Sequence, residues 1–372
     1  MIYWDNNATT AVAPEVLDAM LPYLQGQYFN PSAAYGAAKA VRRAVEEARE
    51  KVAALVGADA SEIMFTGGGT EATNAALAQF SRVLTTATEH PATLRTAKGD
   101  VCPVMANGQV DLALWREMLP DHDGVSFAWA NHETGVLQPV RSLAAAAHEA
   151  GARVHADIVQ AAAKVPVKLH ETAVDFASVS AHKFHGPKGV GALYIRTGTA
   201  FTPYLTGGAQ EDYRRAGTEN VPGIIGFGKA AELALAAAET YAALAGLRQR
   251  FLDALAAAGI TPVINGAAAP RLPHVLNLRV PGVSAESLSL LLEPAGLICS
   301  TGSACTSAEP NPSHVLLAMG LSDKEVRESL RLSLNRYTTA AEVDEAAALF
   351  IRAVRKVQAV QSAHTGPVMV YR

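Results

Sequence analysis

Cysteine is scarce in this chain: 372 residues hold three, Cys102, Cys299 and Cys305. Three is too few, and odd in number, for a disulfide framework, which points to a reducing compartment and an expected cytoplasmic location. Runs of lysine or arginine are also missing, and the net charge is only −4 with both signs interspersed. Neither nucleic acid nor an anionic membrane surface is therefore expected as the main partner. No uncharged apolar run reaches the roughly 20 residues that span a bilayer, and the start Met1-Ile2-Tyr3-Trp4-Asp5 has no basic region followed by an apolar stretch. A membrane partner and a targeting leader are thus not expected. There is no internal repeat, and the only compositional bias is alanine, which suits helices.

What is present supports a large core. The chain is 49% hydrophobic and longer than one core normally serves, so two domains are expected. Strand-like and helix-like segments alternate through most of the length, the pattern of an α/β fold whose mostly parallel central sheet is covered by helices. Strands are predicted at 63–66, 82–86, 125–130, 153–156, 174–179 and 191–195, with helices at 37–56, from residue 70 and at 143–150. One long alanine-rich helix is predicted over 226–258, interrupted by little except Gly246. A strand at 275–280, helices at 285–292, 313–319 and 341–357, and a strand at 330–334 complete a smaller α+β part. The expected division is a large domain at 15–250, and a small one formed by 1–14 plus 251–372 that carries the Cys305 loop.

Lys183 lies in Ser180-Ala181-His182-Lys183-Phe184-His185-Gly186, directly after a strand-like stretch. A lysine where a buried strand ends can lose its proton by desolvation, and the neutral amine can form a Schiff base with a carbonyl. Most lysines are simply exposed. Thr66-Gly67-Gly68-Gly69-Thr70-Glu71 stands at a strand-to-helix junction, where glycine lets the backbone and the positive helix end approach an anion such as phosphate. Alone, it reads equally as a tight turn. Asp157 closes the strand of His155-Ala156-Asp157, where it could hold a pyridinium nitrogen protonated or merely cap a helix. His90, after Thr88-Glu89, could stack on an aromatic ring and move protons near neutral pH, or be a structural imidazole. Together, a phosphate cradle, an imidazole, an aspartate and a candidate Schiff-base lysine follow one another at strand ends of one sheet. Those are the parts a pyridoxal phosphate site needs. Cys305 sits in a loop of small residues, Ser300-Thr301-Gly302-Ser303-Ala304-Cys305, and is expected to be accessible, whereas Cys102 and Cys299 lie in apolar surroundings. Arg331 could clamp a carboxylate bidentately or face solvent from an edge strand.

The chain resembles a cysteine desulfurase of the NifS/IscS type, within the class V aminotransferase branch of fold type I pyridoxal phosphate enzymes. The marks are Asp5-Asn6-Asn7-Ala8-Thr9-Thr10, Asn30-Pro31-Ser32, Phe65 through Glu71, Glu89-His90, Glu133-Thr134-Gly135, Asp157 with Gln160, Ser180 through Lys183, Gly217-Thr218-Glu219-Asn220, Gly302 through Cys305, Ser313 through Leu316, and Arg331 with Arg336-Tyr337-Thr338-Thr339. They run nearly end to end. The resemblance implies Lys183 in Schiff-base linkage to pyridoxal 5'-phosphate, His90 on the cofactor ring, Asp157 on its nitrogen and Gln160 on its hydroxyl. It further implies Gly69, Thr70, Ser180 and His182 on the phosphate, with Thr218 reaching over from the neighbouring subunit of a homodimer. Arg331 would bind the carboxylate of L-cysteine beside Asn131, and Cys305 would be the nucleophile that receives its sulfur.

The same resemblance implies delivery of that sulfur to an iron–sulfur scaffold or another acceptor protein. No resident metal is implied, although Cys305 could transiently ligate an iron–sulfur cluster shared with a scaffold. Three positions depart from the family pattern. His132 stands where members usually carry the second asparagine of Asn-Asn-Glu, which meets the cofactor hydroxyl and substrate, so cofactor tuning or substrate preference is expected to differ. Gly67 and Asn335 are milder departures. A selenocysteine lyase would use the same apparatus with another chalcogen preference. A class V aminotransferase would leave Cys305 without a task, and a non-catalytic interaction subunit of the same fold would need neither Lys183 nor Cys305.

Overall fold

Seven strands form the central sheet, in the order Ile63–Thr66, Gly191–Ile195, Phe176–Ser180, Arg153–Asp157, Gly124–Ala128, Val83–Thr86 and Gly99–Cys102. The computed structural model describes residues 1–301 and 312–364. Residues 302–311, Cys305 among them, and the tail 366–372 lie outside the described residues. Gly191–Ile195 runs antiparallel to both neighbours, and the other pairings are parallel. Five of the strands are buried along their whole length, as a sheet covered on both faces requires. The mostly parallel α/β architecture is therefore as expected.

One face is covered by Gly36–Val56 and Val221–Ala236, which pack on each other. The first buries Val41, Val45, Val52 and Val56, an apolar stripe at helical spacing. It stops at Gly57, which adopts φ +64°, and a Cβ there would stand 2.8 Å from the Cα of Lys168. Only glycine accepts both demands. The helix Gly69–Leu77 lies against Phe176–Ser180.

A second hydrophobic core gathers around the antiparallel strands Ser329–Ser333, Val275–Arg279 and Val263–Ile264. The helices Ala238–Ala257, Ala285–Leu292 and Ala340–His364 belong with it. The chain's first strand, Ile2–Tyr3, joins this core by pairing in parallel with Leu297–Ile298. Trp4 follows, fully buried, edge-on to Phe251 at 5.3 Å and donating its indole N–H to Glu342 Oε1 at 2.8 Å.

The single helix expected over 226–258 is two helices, Val221–Ala236 and Ala238–Ala257, bent by 65°. The break falls at Ala237, and Gly246 lies inside the second helix. Its cause is tertiary: Ala230, Ala231 and Ala234 face the first core, whereas Tyr241 and Leu244 face the second. Among the described residues no single helix is long and apolar enough to cross a membrane. The edge strand Gly99–Cys102 has no counterpart in the sequence expectation, since its alternation of exposed and buried residues is too short to register.

Because Trp4 fastens the segment that leads into Asp5, Asn7 and Ala8, Trp4→Ala should cost about 3–5 kcal/mol of stability. Denaturant unfolding of the cofactor-free protein checks this, and a loss below about 1 kcal/mol would show that the segment is held by other means.

Candidate active site

Parallel strands deliver their C-terminal ends to one edge of the sheet, and the candidate residues follow from those ends. A cavity of about 240 Å³ opens there. Gly69, Thr70, His90, His132, Asp157, Gln160, Ser180, His182, Lys183 and Arg331 all line it. The expected residues are thus brought to one place from as far apart as Gly69 and Arg331, and Asn7 and Ala8 from the start of the chain line the cavity with them.

Lys183 ends a short turn after Phe176–Ser180. Its Nζ donates to the Asn7 carbonyl at 2.7 Å and to the Ala8 carbonyl at 3.0 Å. Asp157 accepts the Val159 N–H at 2.9 Å, and its accessible surface faces the cavity. Burial raises its pKa to about 6, against the lowering effects of that hydrogen bond and of Lys183. His90 caps a short helix: its Nδ1 accepts the Ala92 N–H at 3.1 Å, leaving Nε2 to carry the proton of the neutral ring. Burial, with Lys183 and His314 adding to it, lowers its pKa to about 4.

Next to the cavity lies a cradle lined by Gly67, Gly68, Gly69, Thr70, Ser180 and His182. Gly69 opens the helix Gly69–Leu77, and a Cβ on it would meet Val159 Cγ2 at 2.9 Å, so no side chain can fill the cradle. His182 is tied to Thr9 Oγ1 at 3.1 Å, and burial lowers its pKa to about 4. Helix-start amides, glycine and neutral hydroxyl and imidazole groups make a site for an anion.

Arg331 is buried, with only 2% of its surface exposed. It donates to Asp5 Oδ1 at 2.6 Å and to the His132 carbonyl at 3.1 Å, while its buried Nε has no hydrogen-bond partner among the described residues. The solvent-facing alternative is thereby set aside. His132 lies edge-on to His90 at 5.5 Å, its Nε2 3.7 Å from Glu133 Oε1, and neither atom has a hydrogen bond among the described residues. Burial and the nearby His90, Arg331, His314 and Lys183 hold its pKa well below the usual value. Asn131 stands behind it and does not line the cavity. Its amide donates to the Thr88 carbonyl and accepts from Glu133 N, Thr134 N and Thr134 Oγ1. Thr218 is exposed and lines a separate pocket beside Gly67 and Arg215.

Sequence reasoning assigned no role to Asn7 or Ala8, whose carbonyls receive Lys183, nor to Asp5, the partner of Arg331. Only the Asp5-through-Thr10 motif could have signalled them. A backbone carbonyl leaves no trace in residue type.

The donor set fits pyridoxal phosphate: an anion cradle, a carboxyl group on the cavity wall, a flat imidazole and an amine converge on one cavity that Arg331 also lines. The aminotransferase class-V family model matches residues 2–346. The chain belongs to that family. A cysteine desulfurase of Trichormus azollae is 43% identical over 97% of this chain and 94% of its own length. Among solved structures, a NifS-like protein superposes with a TM-score of 0.86 at 34% identity, covering 95% of this chain and 99% of that one. SspA in complex with cysteine superposes at 0.80 with 29% identity, over 91% and 100% of the two chains.

His90 should titrate near pH 4 in the cofactor-free protein rather than near 6.5. Its depressed folded pKa means that the unfolded chain binds the extra proton between those values, so this group's contribution to stability falls as pH drops from about 6.5 to 4. Imidazole resonances followed by NMR decide it, and a midpoint at the ordinary value would contradict the burial.

Proposed function

We propose that the protein is a pyridoxal phosphate-dependent cysteine desulfurase, which takes sulfur from L-cysteine, releases L-alanine and carries the sulfur as a persulfide on Cys305. The convergence of Lys183, Asp157, His90 and Arg331 on one cavity is the observation that carries this reading. Gly69, Thr70, Ser180 and His182 would hold the cofactor phosphate, Asp157 its ring nitrogen and Gln160 its hydroxyl, with His90 and His132 beside the ring. When bound, the cofactor supplies an electron sink for the substrate's α-carbon.

The chain's own groups then have distinct tasks. Arg331, already oriented by Asp5 and the His132 carbonyl, offers its guanidinium to the substrate carboxylate from the cavity wall. Lys183 takes the α-proton at Nζ and later returns one. The thiolate of Cys305 attacks the substrate sulfur: an S–S bond forms, the C–S bond breaks, and its electron pair stays with the carbon skeleton that leaves as alanine. The burial that keeps His90 and His182 neutral limits the positive charge beside Lys183.

The reading includes a homodimer in which Thr218 meets the neighbouring subunit's phosphate site, consistent with its exposure away from this cavity. It includes sulfur delivery to an iron–sulfur scaffold or another acceptor, resting on the sequence of the Cys305 loop. It also includes a cytoplasmic location and a division into 15–250 and 1–14 plus 251–372; the two hydrophobic cores support two parts, although Tyr241 and Leu244 already pack in the second core.

Two variants separate the roles. Lys183→Ala should lower alanine release from cysteine by at least about 10²-fold. Cys305→Ser should still bind cofactor and cysteine but form no protein persulfide. Release of sulfide by Cys305→Ser at the normal rate would overturn the sulfur-transfer assignment. Parallel assays with selenocysteine separate a desulfurase from a selenocysteine lyase.

A further inference from the structure

Lys164 is a lysine that the proposed chemistry does not use, yet it is only 5% exposed. It sits four residues after Gln160, on the turns that follow the strand Arg153–Asp157. The groups that act on it electrostatically are Lys183 and Arg331, both cations, and burial with their help lowers its pKa well below the ordinary lysine value. A buried amine without an acid partner is a costly thing to keep. Its hydrogen bond is specific: Nζ donates to Gln160 Oε1 at 2.8 Å.

That contact is one link in a chain of four groups. Gln160 Nε2 donates to the Asn7 carbonyl at 3.0 Å, and the same carbonyl receives Lys183 Nζ at 2.7 Å. The two ends of a glutamine amide are alike in size, so only hydrogen bonds decide which end points where. Here Lys164 takes the oxygen. Gln160 keeps its NH₂ for the cavity side, where one N–H meets Asn7 and the second is available to an oxygen of a bound molecule.

We propose that Lys164 is a positioning residue, which sets the orientation of the Gln160 amide and thereby presents an N–H donor to the ring hydroxyl of the bound cofactor. This rests on the cofactor assignment made above. Without the Lys164 donor, Oε1 is buried with no partner, and the amide turns to find one and carries Nε2 away.

The test is a double-mutant cycle of Lys164→Met and Gln160→Ala, read by absorbance titration with pyridoxal phosphate rather than by turnover. Lys164→Met exchanges a buried amine for an apolar side chain of similar length, so the melting temperature of the cofactor-free protein should not fall. Its affinity for pyridoxal phosphate should fall about tenfold, the worth of one hydrogen bond. The pH midpoint of the bound cofactor's absorbance should shift as well. In the Gln160→Ala background the same substitution should change affinity by less than about threefold. Lys164→Gln, too short to reach Oε1 as the lysine does, carries the same cycle should the methionine variant not accumulate. Unchanged affinity, or an equal loss in both backgrounds, would overturn the inference while leaving the cofactor assignment intact. Failure of the unmodified protein to bind pyridoxal phosphate would instead sink the assignment itself.

Discussion

Everything in the site depends on one strip of backbone, residues 4–10, which runs from the second hydrophobic core to the end of the central sheet. Trp4 fixes it by burial, and backbone pairing of Ser333 with Trp4 holds it in register. Asp5 then orients Arg331, Asn7 donates to the His132 carbonyl and meets His274 at 3.0 Å, and Thr10 bonds the His182 carbonyl. The carbonyls of Asn7 and Ala8 receive Lys183. The lysine and the guanidinium, whose segments belong to different sheets, are thus held relative to each other by a few consecutive residues. This is preorganisation in the plain sense: the donors are placed before any ligand arrives.

Burial sets the charge state of the rest. It lowers the pKa of His90, His132 and His182, and it raises those of Asp157, to about 6, and of Glu89, to about 8. Neutral rings and reluctant acids therefore surround Lys183 and Arg331. A cavity of that kind favours an anionic ligand, since a phosphate and a carboxylate compensate cations that the protein itself compensates only in part. Glu89, bonded by Thr86 at 2.6 Å and by the Ala128 N–H at 2.9 Å, stands just behind the imidazole of His90 and ties two strand ends together.

What was legible in the sequence was what lies at strand ends. Lys183, Asp157, His90 and the Gly67-to-Thr70 turn could be found because a parallel sheet announces itself by alternating patterns and places its chemistry where strands stop. The contacts that make these residues a site were not legible. Asp5 and Arg331 are separated by nearly the whole chain, the partners of Lys183 are backbone carbonyls, and Lys164 reads as an ordinary lysine until its surroundings are seen. The break at Ala237 carries no glycine or proline mark, because it arises from two cores competing for one apolar stretch. Cys305 is the reverse case, its role resting on the sequence and the family alone, since it lies outside the described residues.

The central claim is that sulfur passes from L-cysteine to one particular thiol, and sulfur-labelled cysteine with peptide mass analysis tests it most directly. A single turnover without an acceptor should place one labelled sulfur atom on the peptide containing Cys305 and release one alanine for each. Label on the peptides of Cys102 or Cys299, or alanine released with no label on the Cys305 peptide, would contradict the account.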